Sequence, residues 1–362
     1  MDYRTRWQQK RRRRQLIRLA VIPVVIIGIT LVGLLVQSLR ASAVDWSYSG
    51  SADSLAVPAI SGNLVLVAFS EGEVHCLRIN DGSTVWPTPL RRPQRFVSPP
   101  AAASDTAIIC ADYGKIYAVG LTDGEVHWET EAEGPLRGAP LIADETVYIA
   151  SKSGKIYAFD IKDGNRRFVT DTRAALCGQP ALCDGVLVAA GCDGTIVGLD
   201  ADNGKRLWGC RVSATFICPV GEVGGLAVIG SEQGRMYVVD PVEGEVKFSV
   251  AVSGLLRNKA VSDGQSLYFC DSNGWLHKID LSSGARRFSK RLGSSAQAGP
   301  FLHKDALYCL VDGNRVVEVD AETGTVRRCW RGYDGACCLA VGSNYLVIGT
   351  YTGKLFAIEL GY

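Results

Sequence analysis

The sequence predicts an all-β fold, an eight-bladed β-propeller made of four-stranded blades. The first observation is a short phrase, clearest as GKIYAFDIKDGNRRF from Gly154 to Phe168, that reads as strand, tight turn and next strand. Copies open at Gly72, Gly114, Gly154, Gly194, Gly234, Gly274, Asn314 and Gly353, spaced 42, 40, 40, 40, 40, 40 and 39 residues apart. The second is a proline fourteen residues upstream of the opening residue, at Pro58, Pro100, Pro140, Pro180 and Pro300, with Pro219 one position out of register. A period near 40 residues composed only of strands is that of a propeller blade.

The chain begins with something else. Residues 1–40 hold nine Lys or Arg and one acid, a charge of +8, whereas the whole chain is +2, so residues 41–362 carry −6. No charged residue occurs from Leu19 to Val36. Eighteen residues at about 1.5 Å each approach the roughly 30 Å hydrocarbon core of a bilayer, and Arg18 can snorkel. The expected organisation is a cytoplasmic basic tail at 1–15, a transmembrane signal-anchor helix at 16–37, a linker at 38–43 and the propeller at 44–362. The arginine cluster then sets topology, with the propeller outside the bacterial inner membrane, facing periplasm or cell exterior. The alternative is cleavage after Ala41-Ser42-Ala43, which releases a soluble domain. The acidic propeller points away from a nucleic-acid partner.

Within the propeller each element has a sequence reason. Ile156 and Ala158 alternate with Tyr157 and Phe159, an apolar run on both faces that suits a strand buried between neighbours. Asp160 can accept hydrogen bonds from the following turn, and Gly164 can take a positive φ. In blade three the strands are expected at PLIA from Pro140, at Thr146 to Ser151, at KIYAFD, and around Phe168. An aromatic residue lies four after the turn glycine at Trp86, Trp128, Phe168, Trp208, Phe248 and Phe288. The last copy stops before supplying one, and Trp46 in VDWSYS is the candidate replacement. The N-terminal strand would close the last blade and remove an open sheet edge. Eight blades follow, or seven if the Asn314 copy, with Arg328 in the aromatic slot, is not a full blade. Gly114, Gly154, Gly194, Gly234, Gly274 and Gly353, with Trp46, Trp86, Trp128 and Trp208, are expected to be structural.

The phrase G-x-[IVL]-[YH]-x-[ILV]-D-x-x-x-G-x-x-x-[WF] resembles the repeat of pyrroloquinoline-quinone-type propellers, over residues 44–362. That group includes eight-bladed quinoprotein alcohol dehydrogenases and the non-catalytic BamB-like proteins of outer-membrane β-barrel assembly. The resemblance describes blade architecture; function must be argued from a site.

Candidate chemistry is sparse. Asp160, Asp200, Asp240, Asp280, Asp320 and Glu359 occupy one repeat position, so they read as turn formers, not catalytic carboxylates. His75 and His277 replace the tyrosines of other copies, and none of the four histidines sits at metal-ligand spacing. The twelve cysteines lie mostly in apolar strands; Cys110 and Cys270 are too far round the ring to pair, and a Cys177–Cys218 disulfide between adjacent links is an open alternative. In quinoprotein dehydrogenases an adjacent-cysteine pair lies against the cofactor, which gives Cys337-Cys338 that reading. Near-minimal repeats without insertions oppose it, because short loops build no pocket. No catalytic residue, cofactor or metal is therefore expected. In BamB-like proteins Leu-Arg dipeptides in the inter-blade links help hold the assembly partner, and the resemblance implies the same for Leu136-Arg137 and Leu255-Leu256-Arg257. The expected function is a non-enzymatic scaffold for an envelope protein complex, possible partners including barrel-assembly components. The alternatives are a quinone-dependent dehydrogenase or its degenerate relative, and a ligand-sensing propeller.

Overall fold

The computed structural model describes residues 44–50 and 56–361; the expected tail, membrane span and linker fall on residues 1–43 and lie outside them. The described residues form eight four-stranded antiparallel sheets, one per repeat. Blade three shows the plan, with strands Leu141–Ala143, Thr146–Ala150, Lys155–Asp160 and Arg166–Asp171 in meander order. First strands of neighbouring blades touch one another around most of the ring, and the first strand of the last blade meets that of the first. They therefore line the centre, and fourth strands lie outermost.

The two-sided apolar pattern has a direct explanation. Ile156 and Ala158 enter the core shared with blade four, while Tyr157 and Phe159 enter the core shared with blade two. Every such cluster lies between two adjacent sheets, so each blade is buried only by its neighbours.

Closure is as expected from Trp46. Strand Trp46–Ser49 pairs antiparallel with Lys354–Glu359, in the register Trp46 to Ala357 and Ser49 to Lys354. The eighth sheet thus takes its outer strand from the start of the chain and its other three from residues 336–359. The Asn314 copy is a complete blade, which settles the count at eight.

Adjacent blades are joined by an aromatic dock. The Trp128 ring lies over Gly164 of the next blade, and its indole Nε1 donates to the Ile161 carbonyl at 2.8 Å. Gly164 has φ of 71°, and a Cβ there would sit 2.6 Å from the ring. Glycine is thus required twice, for its dihedral and for its missing side chain. Trp46, Trp86 and Trp208 make the same bond to Ile79, Leu121 and Pro241, and Phe168, Phe248 and Phe288 cover the glycine without it. Arg328 holds the slot facing blade eight, whose third and fourth strands are not joined by a turn, and it donates instead to the Gly361 carbonyl at 3.4 Å.

The recurrent aspartates are structural, and more fully than the sequence indicated. Asp160 accepts from the Lys162 backbone N–H at 2.9 Å. A β-bulge between the third and fourth strands also swings one extra residue, Arg167, back onto it, with Nη2 donating to Oδ2 at 2.6 Å. Lys247–Asp240, Arg287–Asp280 and Arg327–Asp320 repeat this pairing. Hydrogen bonds to Thr323 and Arg327 hold Asp320 down at about 2.

Removing the dock tests its weight. Trp128→Ala should destabilise the protein by about 3–5 kcal/mol, and Trp128→Phe, which keeps a ring but loses one hydrogen bond, by about 1 kcal/mol. Urea-denaturation midpoints compare them; equal losses would show that the ring is not what matters.

Candidate functional site

The links from one blade's last strand to the next blade's first all emerge on one face, together with the turns between second and third strands. Five of the links carry a large apolar plug. Phe96, Leu136, Leu176, Phe216 and Leu256 share a repeat position and are at most 1% exposed. Leu136 and Leu256, expected as partner anchors, are therefore core residues, corrected by their burial between blades. Leu255 is half-buried, its backbone N–H donating to the Ser272 hydroxyl at 2.9 Å.

The next repeat position forms a rim: Val97, Arg137, Cys177, Ile217 and Arg257 after the plugs, and Gln297 and Cys337 after Ala296 and Ala336. Arg137 reaches back to the turn of the blade its link has just left, with Nη2 3.3 Å from Asp112 Oδ1. Arg257 repeats this with Glu232, donating from Nε and Nη2 to Oε1 at 3.2 and 2.9 Å. The arginine side chains remain 50% and 57% exposed. The Arg257–Glu232 pair, open to solvent on both sides, contributes about 0–1 kcal/mol and orients a cation more than it holds the fold, whereas Arg137 caps the buried Asp112. The glycine that opens a repeat lies against the following link: Gly154 has φ of 92°, and its carbonyl accepts from the backbone N–H of Thr172, the first residue of the link.

Two surface residues on this face were missed by the sequence reading. Tyr113 and Tyr351 are 73% and 63% exposed at turn tips. The signal for Tyr113 was available, since Ser153, Asp193, Gln233 and Asn273 fill its position in other blades. Tyr and Arg are the side chains most enriched where protein surfaces bind one another.

Arg257, Cys337 and Tyr351 border a cavity of about 220 Å³, completed by Leu255, Asn258, Ser272, Ala296 and Gln297. A β-bulge at Cys337 takes it out of the regular ladder between Ala336 and Cys338. Its hydrogen bond with Cys338 holds the Cys337 thiol below its ordinary range, and the same contact with burial pushes Cys338 up. The lining does not fit a quinone with calcium: it is smaller than ordinary cofactor pockets of about 300–1,000 Å³, and it offers no carboxylate to the ion. Among the described residues no group of three or more His, Cys, Asp or Glu is placed to hold a metal.

Several of the other thiols and one buried histidine have local partners. Cys177 faces Cys192, with the sulfurs 2.8 Å apart, while Cys218 donates to the Gly230 carbonyl at 2.9 Å. The Cys177–Cys218 alternative is thereby corrected. Cys270 lies 3.5 Å from Cys309 of the adjacent blade, both buried. His277 sits between Ser289 and Asp271, at 2.8 and 3.3 Å, and burial lowers its pKa.

Eight meandering blades joined by an aromatic residue on a turn glycine define a pyrroloquinoline-quinone-like repeat propeller. The family model described as "Outer membrane protein assembly factor BamB" matches residues 95–218 and 234–360, more than half of the chain, and the chain belongs to that family. No curated protein matches it. Among solved structures, BamB from Moraxella catarrhalis is 18% identical with a TM-score of 0.71, covering 86% of this chain and 95% of that one. The computationally designed Ika8 protein is 14% identical with a TM-score of 0.75, covering 86% and 97%. Sqt1 from Saccharomyces cerevisiae is 12% identical with a TM-score of 0.76, covering 87% and 98%. At these identities the likeness is one of fold.

Plug and rim should separate in stability. Leu256→Ala should cost about 2–5 kcal/mol, whereas Arg257→Glu should cost about 1 kcal/mol or less. Thermal melts of the two variants measure this; a larger loss for Arg257→Glu would make the rim arginine structural.

Proposed function

We propose that this protein is a non-catalytic scaffold that steadies an envelope protein complex through its link face. The supporting observation is that face itself, where Arg137 and Arg257 stand half-exposed on buried plugs and Tyr113 and Tyr351 project beside them. A rigid ring carrying exposed aromatic and guanidinium groups suits docking of another protein. The family is described as an outer membrane protein assembly factor, and that description supports assembly as the process served.

The apolar segment 16–37 is read as a single span holding the propeller outside the inner membrane. An anchor there departs from an outer-membrane location, so the partner is assigned to the envelope without naming the barrel-assembly machine.

Full-length protein purified from membranes in mild detergent should bring down an envelope component at near-equal stoichiometry. Arg137→Glu with Arg257→Glu should reduce its recovery at least tenfold while the melt changes little; unchanged recovery would remove the two arginines as anchors. A C-terminal tag should fractionate with membranes when no protease is added, and should be cleaved by external protease in spheroplasts. A tag that is protected would reverse the topology, and one released as soluble protein would favour cleavage after Ala43.

A further inference from the structure

We propose that Cys177 and Cys192 are a redox pair that closes into a disulfide, tying the link of residues 172–180 to the turn of residues 191–194. The backbone brings them together. Leu176 and Gly191 form an antiparallel bridge, and the Cys192 N–H donates to the Ala175 carbonyl at 2.9 Å, so link and turn lie side by side. The two sulfurs are 2.8 Å apart, less than about 1 Å from the bonding distance of roughly 2.05 Å. Both cysteines are half-buried, unlike Cys270 and Cys309, which approach each other inside the core.

The setting supports exchange chemistry. A shallow depression of about 590 Å³ opens beside Cys192, bordered by Asp193, Arg211, Ser213, Thr215 and Gln233, giving a peptide disulfide room to approach. Burial and the hydrogen bond with Cys177 push the Cys192 thiol up to about 12. The oxidant is a small disulfide such as oxidised glutathione. One of the two cysteines, as its thiolate, attacks one sulfur of the oxidant, forming a mixed disulfide and expelling one glutathione thiolate. The other cysteine then loses its proton and attacks the sulfur of the first, expelling the second. Two thiols become one disulfide, two protons leave, and two electrons reduce the oxidant.

The bond would act on the rim. Gly178, next to Cys177, packs so closely on Gly138 that a Cβ on Gly138 would lie 2.5 Å from it, and Gly138 follows Arg137. Closing the pair therefore restrains the link against which the Arg137 link rests. The inference stands on this geometry and does not need the docking reading.

The test uses full-length protein in mild detergent, equilibrated with oxidised glutathione, quenched in acid, alkylated with N-ethylmaleimide while denatured, and digested with trypsin. No Lys or Arg lies between Arg173 and Lys205, so Cys177, Cys183 and Cys192 leave on one peptide, residues 174–205. That peptide should carry one alkyl group, on Cys183, with the other two sulfurs joined, and should carry three after dithiothreitol. Cys177→Ser or Cys192→Ser should abolish the internal bond, while Cys218→Ser should retain it. Three alkyl groups after oxidation, a glutathione adduct that never resolves, or a bond through Cys183 would each overturn the proposal.

Discussion

The ring depends on one contact, an aromatic face laid on a glycine that has a positive φ and no side chain. A four-stranded blade has apolar side chains on both faces and cannot bury them alone. The dock fixes how each sheet meets the next, because Trp128 can reach both Gly164 and the Ile161 carbonyl only when the interface between the two sheets is packed. The exception is consistent with this. Arg328 occupies the aromatic slot where the next blade has no joining turn, and there a guanidinium on a carbonyl suffices.

A second constraint acts on the links. In five links the plug is large and apolar, as Phe96, Leu136, Leu176, Phe216 and Leu256 are, but its successor lies at the rim with few packing demands. That successor is Val97, Arg137, Cys177, Ile217 or Arg257, depending on the blade. Stability and surface chemistry are thus carried by adjacent residues, and the face can change its partners without disturbing the ring.

What could be read from sequence was whatever repeated. The blade architecture, the turn role of Asp160 and its aspartate equivalents, and the closing role of Trp46 followed from register, whereas the count stood between seven and eight until the Asn314 copy proved a complete blade. The burial of Leu136 and Leu256 was equally periodic, but a Leu-Arg pair viewed in isolation looks like a surface anchor; only the aligned Phe96, Leu176 and Phe216 reveal a plug. Contacts spanning two blades were not legible. Arg137 meets Asp112 and Arg257 meets Glu232 because a link folds back on the turn it has left, and Cys177 meets Cys192 because another link leans forward. The bulge that returns Arg167 to Asp160 leaves no mark in the hydrophobic pattern.

The pairing of Trp46–Ser49 with Lys354–Glu359 also sets a clock on biosynthesis. The outer strand of the eighth blade is made first among the strands, and its partner follows after some three hundred residues. At about 5–20 residues per second, that is roughly 15–60 s during which the early strand has no sheet to join. An unpaired edge is a template for wrong pairing. A chain of this design therefore spends its most vulnerable interval with its first strand waiting for its last, and any factor that shields residues 44–50 during that interval would act on yield without touching the finished ring.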